Sequence, residues 1–206
     1  MSVRVPRLSY EDVRRSADAF LGEHHSSRSI PIPIEEIVEF RLGLNIIPLP
    51  GLHAAFDLDG FLSADMREIS VDLAVFESRP ARYRFTLAHE TGHLILHGGP
   101  LKTATPGSIA DWKRFVRDLA ESERQSMEWQ AYSFAGLVLV PREPLHEAYR
   151  AARRAADEAG IDIETNVDVA RYYVSTSIAQ AFGVSAGVID RRLVREGIFP
   201  RNTTMG

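Results

Sequence analysis

The chain has no cysteine among its 206 residues. That removes disulfides, thiolate metal sites and cysteine nucleophiles, and it fits a reducing interior. It also lacks any apolar run of membrane-spanning length, and its first ten residues, with Arg4, Pro6 and Arg7, hold no apolar core of a secretory leader. A cytoplasmic protein with no membrane partner is expected. An excess of positive charge is missing as well: 24 Lys and Arg stand against 28 Asp and Glu, a net charge of −4. Nothing pulls the whole molecule toward nucleic acid, so any DNA contact would have to be a local patch. There is no internal repeat and no low-complexity segment. What is present is ordinary for a globular protein, 45% hydrophobic and 25% charged residues. This length suits one well-cored domain with at most a small appendage. Without thiols, histidines and carboxylates are the ligands left for chemistry.

His89-Glu90-Thr91-Gly92-His93 uses both. On a helix, residues four apart share one face, and their Cβ atoms lie about 5–6 Å from each other. Two imidazole nitrogens bound to one tetrahedral zinc sit about 3.3 Å apart, so the rings need converge only slightly. Glu90 lies beside His89, near enough to activate water at the metal without binding the metal itself, the general-base place in HExxH peptidases. Phe85, Ala88, Gly92 and Ile95 recur at helical spacing and predict a core-facing stripe on a helix over Ala81 to His97, stopped by Gly98 and Gly99.

Around this helix the pattern predicts an α+β fold. Ser9-Tyr10-Glu11-Asp12 reads as a capping box opening a helix to Leu21, with Val13, Ala17, Phe20 and Leu21 inward. Ile34 to Leu42 reads as a short helix. Leu44 to Ile47 and Glu68 to Asp72 read as strands and Asp59-Gly60 as a hairpin turn, together a small antiparallel sheet. Gly98 to Ser108 reads as a loop, either a plain connection or a lid over the motif. Helices are expected over Glu121 to Val140 before Pro141, over Pro144 to Ala159, from the Thr165-Asn166-Val167-Asp168 cap to Phe182, and over Ser185 to Glu196. The division is residues 1–160 as the main domain and 161–206 as a helical segment packed on it.

A zinc ion with an open position needs a third protein ligand. His97 extends the i+4 row but has turned about 80° away from His89, and a histidine at a helix end also serves as a cap. Glu128 opens the face Glu128, Ala131, Ala135, Val138, where an anion needs a positive partner that a metal would supply; an ordinary salt-bridged glutamate is the other reading.

Arg84-Phe85-Thr86-Leu87-Ala88-His89-Glu90-Thr91-Gly92-His93-Leu94-Ile95-Leu96-His97 resembles the signature of the ImmA/IrrE family of metallopeptidases. Glu128, Ala131, Phe134 and Ala135, with Leu137-Val138-Leu139-Val140 and Pro141, resemble its second motif. The resemblance implies a zincin-like fold, zinc on His89, His93 and Glu128, and Glu90 as catalytic base. It implies a protein substrate as well, typically a helix-turn-helix transcriptional repressor. The chain departs from the family in carrying Tyr132 where members usually have Asn. His97 and Tyr132 are candidates for contacts behind the ligands or with substrate.

Ile178 to Ile198 has a helix-turn-helix outline, with Gly183-Val184-Ser185 as the turn and Arg191, Arg192 and Arg195 on the second helix. Those arginines are expected either to pack and face solvent, to meet an acidic partner, or to meet DNA. The favoured function is zinc-dependent cleavage of a partner protein, held as an extended segment at a sheet edge around Ile69 to Val71. The alternatives are a metal-binding regulator that does not cut and a DNA-binding protein with a structural zinc.

Overall fold

The computed structural model describes residues 6–104, 120–161 and 166–199. The first helix, α1 (Tyr10–His24), opens as its sequence predicts. Ser9 Oγ accepts the Asp12 N–H, and Asp12 accepts the Ser9 N–H at 2.9 Å. Its apolar side, Val13, Ala17, Phe20 and Leu21, is buried. A short α2 (Ile34–Glu36) runs on into a π-helical turn, Ile37–Arg41, which ends at Gly43 in the left-handed region.

Three strands follow: β1 (Asn45–Leu49), β2 (Gly60–Leu62) and β3 (Glu68–Asp72), with α3 (Leu52–Phe56) between the first two. Their order is β1-β3-β2. β3 pairs antiparallel with β2 and parallel with β1, so the sheet is mixed where a wholly antiparallel one was expected. The connection from β1 through α3 and β2 is long enough to return the chain in the same direction. Asp59-Gly60 is not the hairpin turn. Gly60 starts β2, and the chain reverses over Ser63 to Arg67, where Ser63 Oγ and Asp65 Oδ1 gather the loop amides. Because β3 is central, Ile69 to Val71 offers no free edge; that expectation is corrected.

Asp72 closes β3 and accepts the amides of Ala74 and Val75, starting α4 (Leu73–Ser78). Next is α5 (Pro80–Ala104), which carries the HExxH motif. It does not stop at Gly98-Gly99. Glycine is helix-compatible at about 1 kcal/mol per residue, and Gly98 is buried in this helix beside Met66, so packing outweighs propensity. Residues 98–104 of the expected loop are therefore helical, and 105–108 lie outside the described residues. The predicted stripe holds at Ala88 and Gly92, whereas Ile95 is exposed.

The C-terminal portion is helical: α6 (Glu121–Leu139), α7 (Arg142–Glu158), α8 (Val167–Phe182, capped by Asn166) and α9 (Ala186–Arg195). Thr165 lies outside the described residues. α6 is buried along α5 and α1, with the Phe134 and Phe20 rings 5.6 Å apart, edge to face. Val174, Ile178, Phe182, Ile189 and Leu193 join the same contiguous core as Val13, Leu87 and Phe134. The whole is an α+β zincin-like fold in which α5 lies between the sheet and α6.

Candidate metal centre

On α5, His89 and His93 turn their Nε2 atoms toward each other at 3.0 Å. From α6, Glu128 brings Oε2 to 3.2 Å from His89 Nε2 and Oε1 to 3.6 Å from His93 Nε2. These donor atoms all lie within 4.8 Å of one another. What lets two helices do this is Gly92, inside the motif. A Cβ there would stand 3.1 Å from the Ala131 backbone and 3.2 Å from Phe134, so only glycine allows the approach without displacement.

Burial disfavours the charged form of His89, but the Glu128 hydrogen bond and the charges of Glu90 and Glu128 outweigh it and raise its pKa. Glu128 behaves conversely. Burial pushes its pKa up, and the hydrogen bonds from His89 and His93 overcome that, holding it well below the usual carboxylate range. Glu128 is thus ionised, as a metal ligand must be. Two nitrogens and one oxygen, with a nitrogen separation close to the roughly 3.3 Å of a tetrahedral pair, fit zinc and leave a fourth position.

Glu90 is buried beside this set, and its Oε2 accepts the Leu62 N–H at 2.9 Å. His97 is also buried, and α5 does not end there, so it caps nothing. His93 Nδ1 lies 3.2 Å from His97 Nδ1, and His97 Nε2 lies 3.0 Å from Gln130 Oε1. With the His93 Nε2 lone pair on a metal, its Nδ1–H donates to His97 and the His97 Nε2–H donates to Gln130. Gln130 Nε2 in turn donates to Pro6 O at 2.8 Å and Ser126 Oγ at 2.9 Å. Burial, then the adjacent His93, lowers the His97 pKa to about 4, so it stays neutral and able to accept. Gln130 was not singled out from sequence. Its signal was an amide on the otherwise apolar row Met127, Ala131, Phe134.

The four motif groups open on a cleft of about 830 Å³. Tyr132 lies on its wall, its ring 4.8 Å from Phe85 and under the Arg191 guanidinium at 5.1 Å. Of the other two arginines of α9, one turns inward and one is exposed. Arg192 is buried and bonds Glu196 and Tyr10 Oη, each at 2.7 Å, and the Val140 carbonyl. Arg195 lies over Tyr10 and Trp129. Arg191 and Arg195, one turn apart, thus remain at the surface of α9, and Arg192 is taken into the core.

Residues 73–194, more than half of the chain, match the peptidase M78 family, described as the IrrE N-terminal-like domain. The chain belongs to that family. IrrE N-terminal-like membership accords with the HExxH helix and with the His-His-Glu cluster that a metal could occupy. No curated protein matches. Among solved structures, a Mycobacterium tuberculosis transcriptional regulator aligns with a TM-score of 0.51 at 19% identity, over 95% of this chain and 49% of that one. That likeness concerns the fold, and this IrrE N-terminal-like chain spans about half the length of the regulator. No described helix is long and apolar enough to cross a membrane.

Proposed function

We propose that this chain is a zinc-dependent endopeptidase that cleaves a partner protein, a helix-turn-helix transcriptional repressor by resemblance to its family. One observation carries the reading. Two histidines and a glutamate from two helices converge on one point, with a buried glutamate beside them, in a cleft large enough for a peptide segment. A zinc ion held by His89, His93 and Glu128 would supply Lewis acidity, polarising a peptide carbonyl and lowering the pKa of water toward roughly 7. Glu90 accepts the proton of the attacking water and passes it to the leaving amine, steadied by the Leu62 amide on its other oxygen.

The sheet suggests how an extended segment would lie. Bonds from Asp72 N–H to Asp59 O and from Ser63 N–H to Glu68 O bracket β2, so the polar backbone groups of Gly60 and Leu62 turn to its free edge. Glu90 sits on that edge, bonded to Leu62. A strand added along β2 would pass over the base.

Metal analysis of the purified protein should give about one zinc per chain, strongly reduced in His93→Ala and Glu128→Ala. Glu90→Gln should keep the zinc and lose cleavage of a peptide library by at least about a hundredfold, because the amide cannot take the proton. Equal turnover by Glu90→Gln would defeat the mechanism. A regulator that grips its partner without cutting shares the metal set, and is left standing if wild type binds zinc and peptide yet cuts nothing.

A further inference from the structure

Leu49, Leu52, Phe56 and Phe61 give the cleft part of an apolar lining, and α9 adds Val188 and Arg191 to it, after its cap Ser185. Two other cations on the rim are committed: Arg82 pairs with Asp59, and Arg124 with Glu121. Arg191 has no carboxylate within ion-pair distance among the described residues. It lies instead over Tyr132, one turn beyond Glu128 on α6.

Its position is firmly built. Arg84, five residues before His89, bonds the Gly183 carbonyl in the α8–α9 turn at 3.1 Å and the Ile32 carbonyl at 2.6 Å. Gly183 itself, at φ 63°, leaves no room for a Cβ, which would stand 2.7 Å from Arg84 Nε. Arg171 then grips Asp190, the neighbour of Arg191, through two bonds of 2.7 and 2.6 Å.

We propose that Arg191 is a specificity residue, binding the side-chain carboxylate of an Asp or Glu in the polypeptide that occupies the cleft. One helical turn from Glu128 to Tyr132 and the 5.1 Å from that ring to the guanidinium place it roughly 10 Å from the His-His-Glu set. An extended chain covers that in about three residues at about 3.3 Å each, so the acidic residue lies two or three positions from the reacting carbonyl. The contact with Tyr132 keeps the guanidinium at the cleft wall, where it can make charge-assisted bonds to a carboxylate.

The inference rests on the peptidase reading, and the experiment separates the two. Zinc-loaded Glu90→Gln protein is titrated with fluorescein-labelled decapeptides of alanine and leucine in which Asp, Asn or Lys is moved along the chain, and anisotropy gives affinity. Asp should bind roughly tenfold tighter than Asn at one position. Adding Arg191→Gln should erase that preference while leaving the Asn peptides within about twofold. Arg191→Glu should transfer the preference to Lys, and Arg191→Lys should retain it for Asp; melting curves confirm that each variant is folded. Acid preference that survives Arg191→Gln overturns the proposal, as does peptide binding with no charge preference, and either leaves the peptidase reading intact. If the zinc-loaded wild type neither binds nor cuts any peptide, both readings fall.

Discussion

Gln130 shows how much of a His-His-Glu cluster lies behind the three residues themselves. It is fully buried, two residues from Glu128 yet on the opposite side of α6, and it ends a chain of directed hydrogen bonds running from His93 through His97. Each member has one assignment of protons that satisfies all of them. Orienting partners of this kind typically change metal affinity ten- to a hundredfold. Gln130→Leu is nearly isosteric but strands the His97 N–H and the Pro6 carbonyl, so zinc affinity measured by competition with a chelator should fall about tenfold or more. The cost to stability should be about 1–3 kcal/mol. An unchanged zinc affinity would reduce His97 and Gln130 to core packing. The histidine pair itself was legible in the sequence, because i, i+4 geometry is local, and His97 on the same helix was a candidate beside it; Gln130 was not, since it comes from another helix.

At the scale of elements, the crossing of α5 and α6 is what turns a motif into a centre. Glu128 reaches the histidines only because Gly92 lets the Ala131 backbone come close. Gly92→Ala would gain helix propensity worth up to about 1 kcal/mol, yet its methyl must push α6 back by a few tenths of an ångström. The expected result is a folded protein whose zinc affinity drops several-fold while its melting temperature changes little. A variant that binds zinc as wild type does would show that the helix pair can absorb the methyl. The same contest between local rule and packing explains the end of α5. Gly98-Gly99 is a sound stop signal in isolation, and here the buried side of Gly98 overrides it. It explains the sheet too: the strand patterns marked β1 and β3 correctly, but their relative direction depends on which one ends up in the middle.

Across the whole molecule, one carboxylate gathers the distant parts. Glu196, just past α9, is almost fully shielded and pairs with Arg14 of α1 at 3.0 Å, Arg142 at the start of α7 at 3.1 Å and Arg192 of α9 at 2.7 Å. Burial raises its pKa, but the charges and hydrogen bonds of Arg192 and Arg14 outweigh that and leave it lowered. A folded pKa below the unfolded one means that the stabilisation is fully present above the unfolded value, about 4.3, and is lost as pH falls through the folded value. Glu196→Gln should therefore be less stable by roughly 2–4 kcal/mol at pH 7 in urea unfolding. The gap to wild type should close as pH drops below about 4. A gap independent of pH would mean that Glu196 acts through shape and not charge.

The sequence by itself determined what local periodicity and chemistry can determine. The helices bearing Val13 to Leu21, His89 to His93, Glu128 to Val138 and Ile178 to Phe182 were legible because an amphipathic pattern and a cap need only neighbours a few residues away. The histidine pair and its glutamate were legible for the same reason. Glu128 was legible only with the help of family resemblance, since nothing along the chain states that residue 128 lies across from residue 93. Tertiary structure decided the rest: which strand is central, that Gly98 stays helical, that Arg192 is buried and Arg191 faces the cleft, and that Leu62 holds Glu90. Each depends on contacts between residues far apart in sequence, and the free energy of such contacts is set by burial and close approach, quantities that no local pattern encodes.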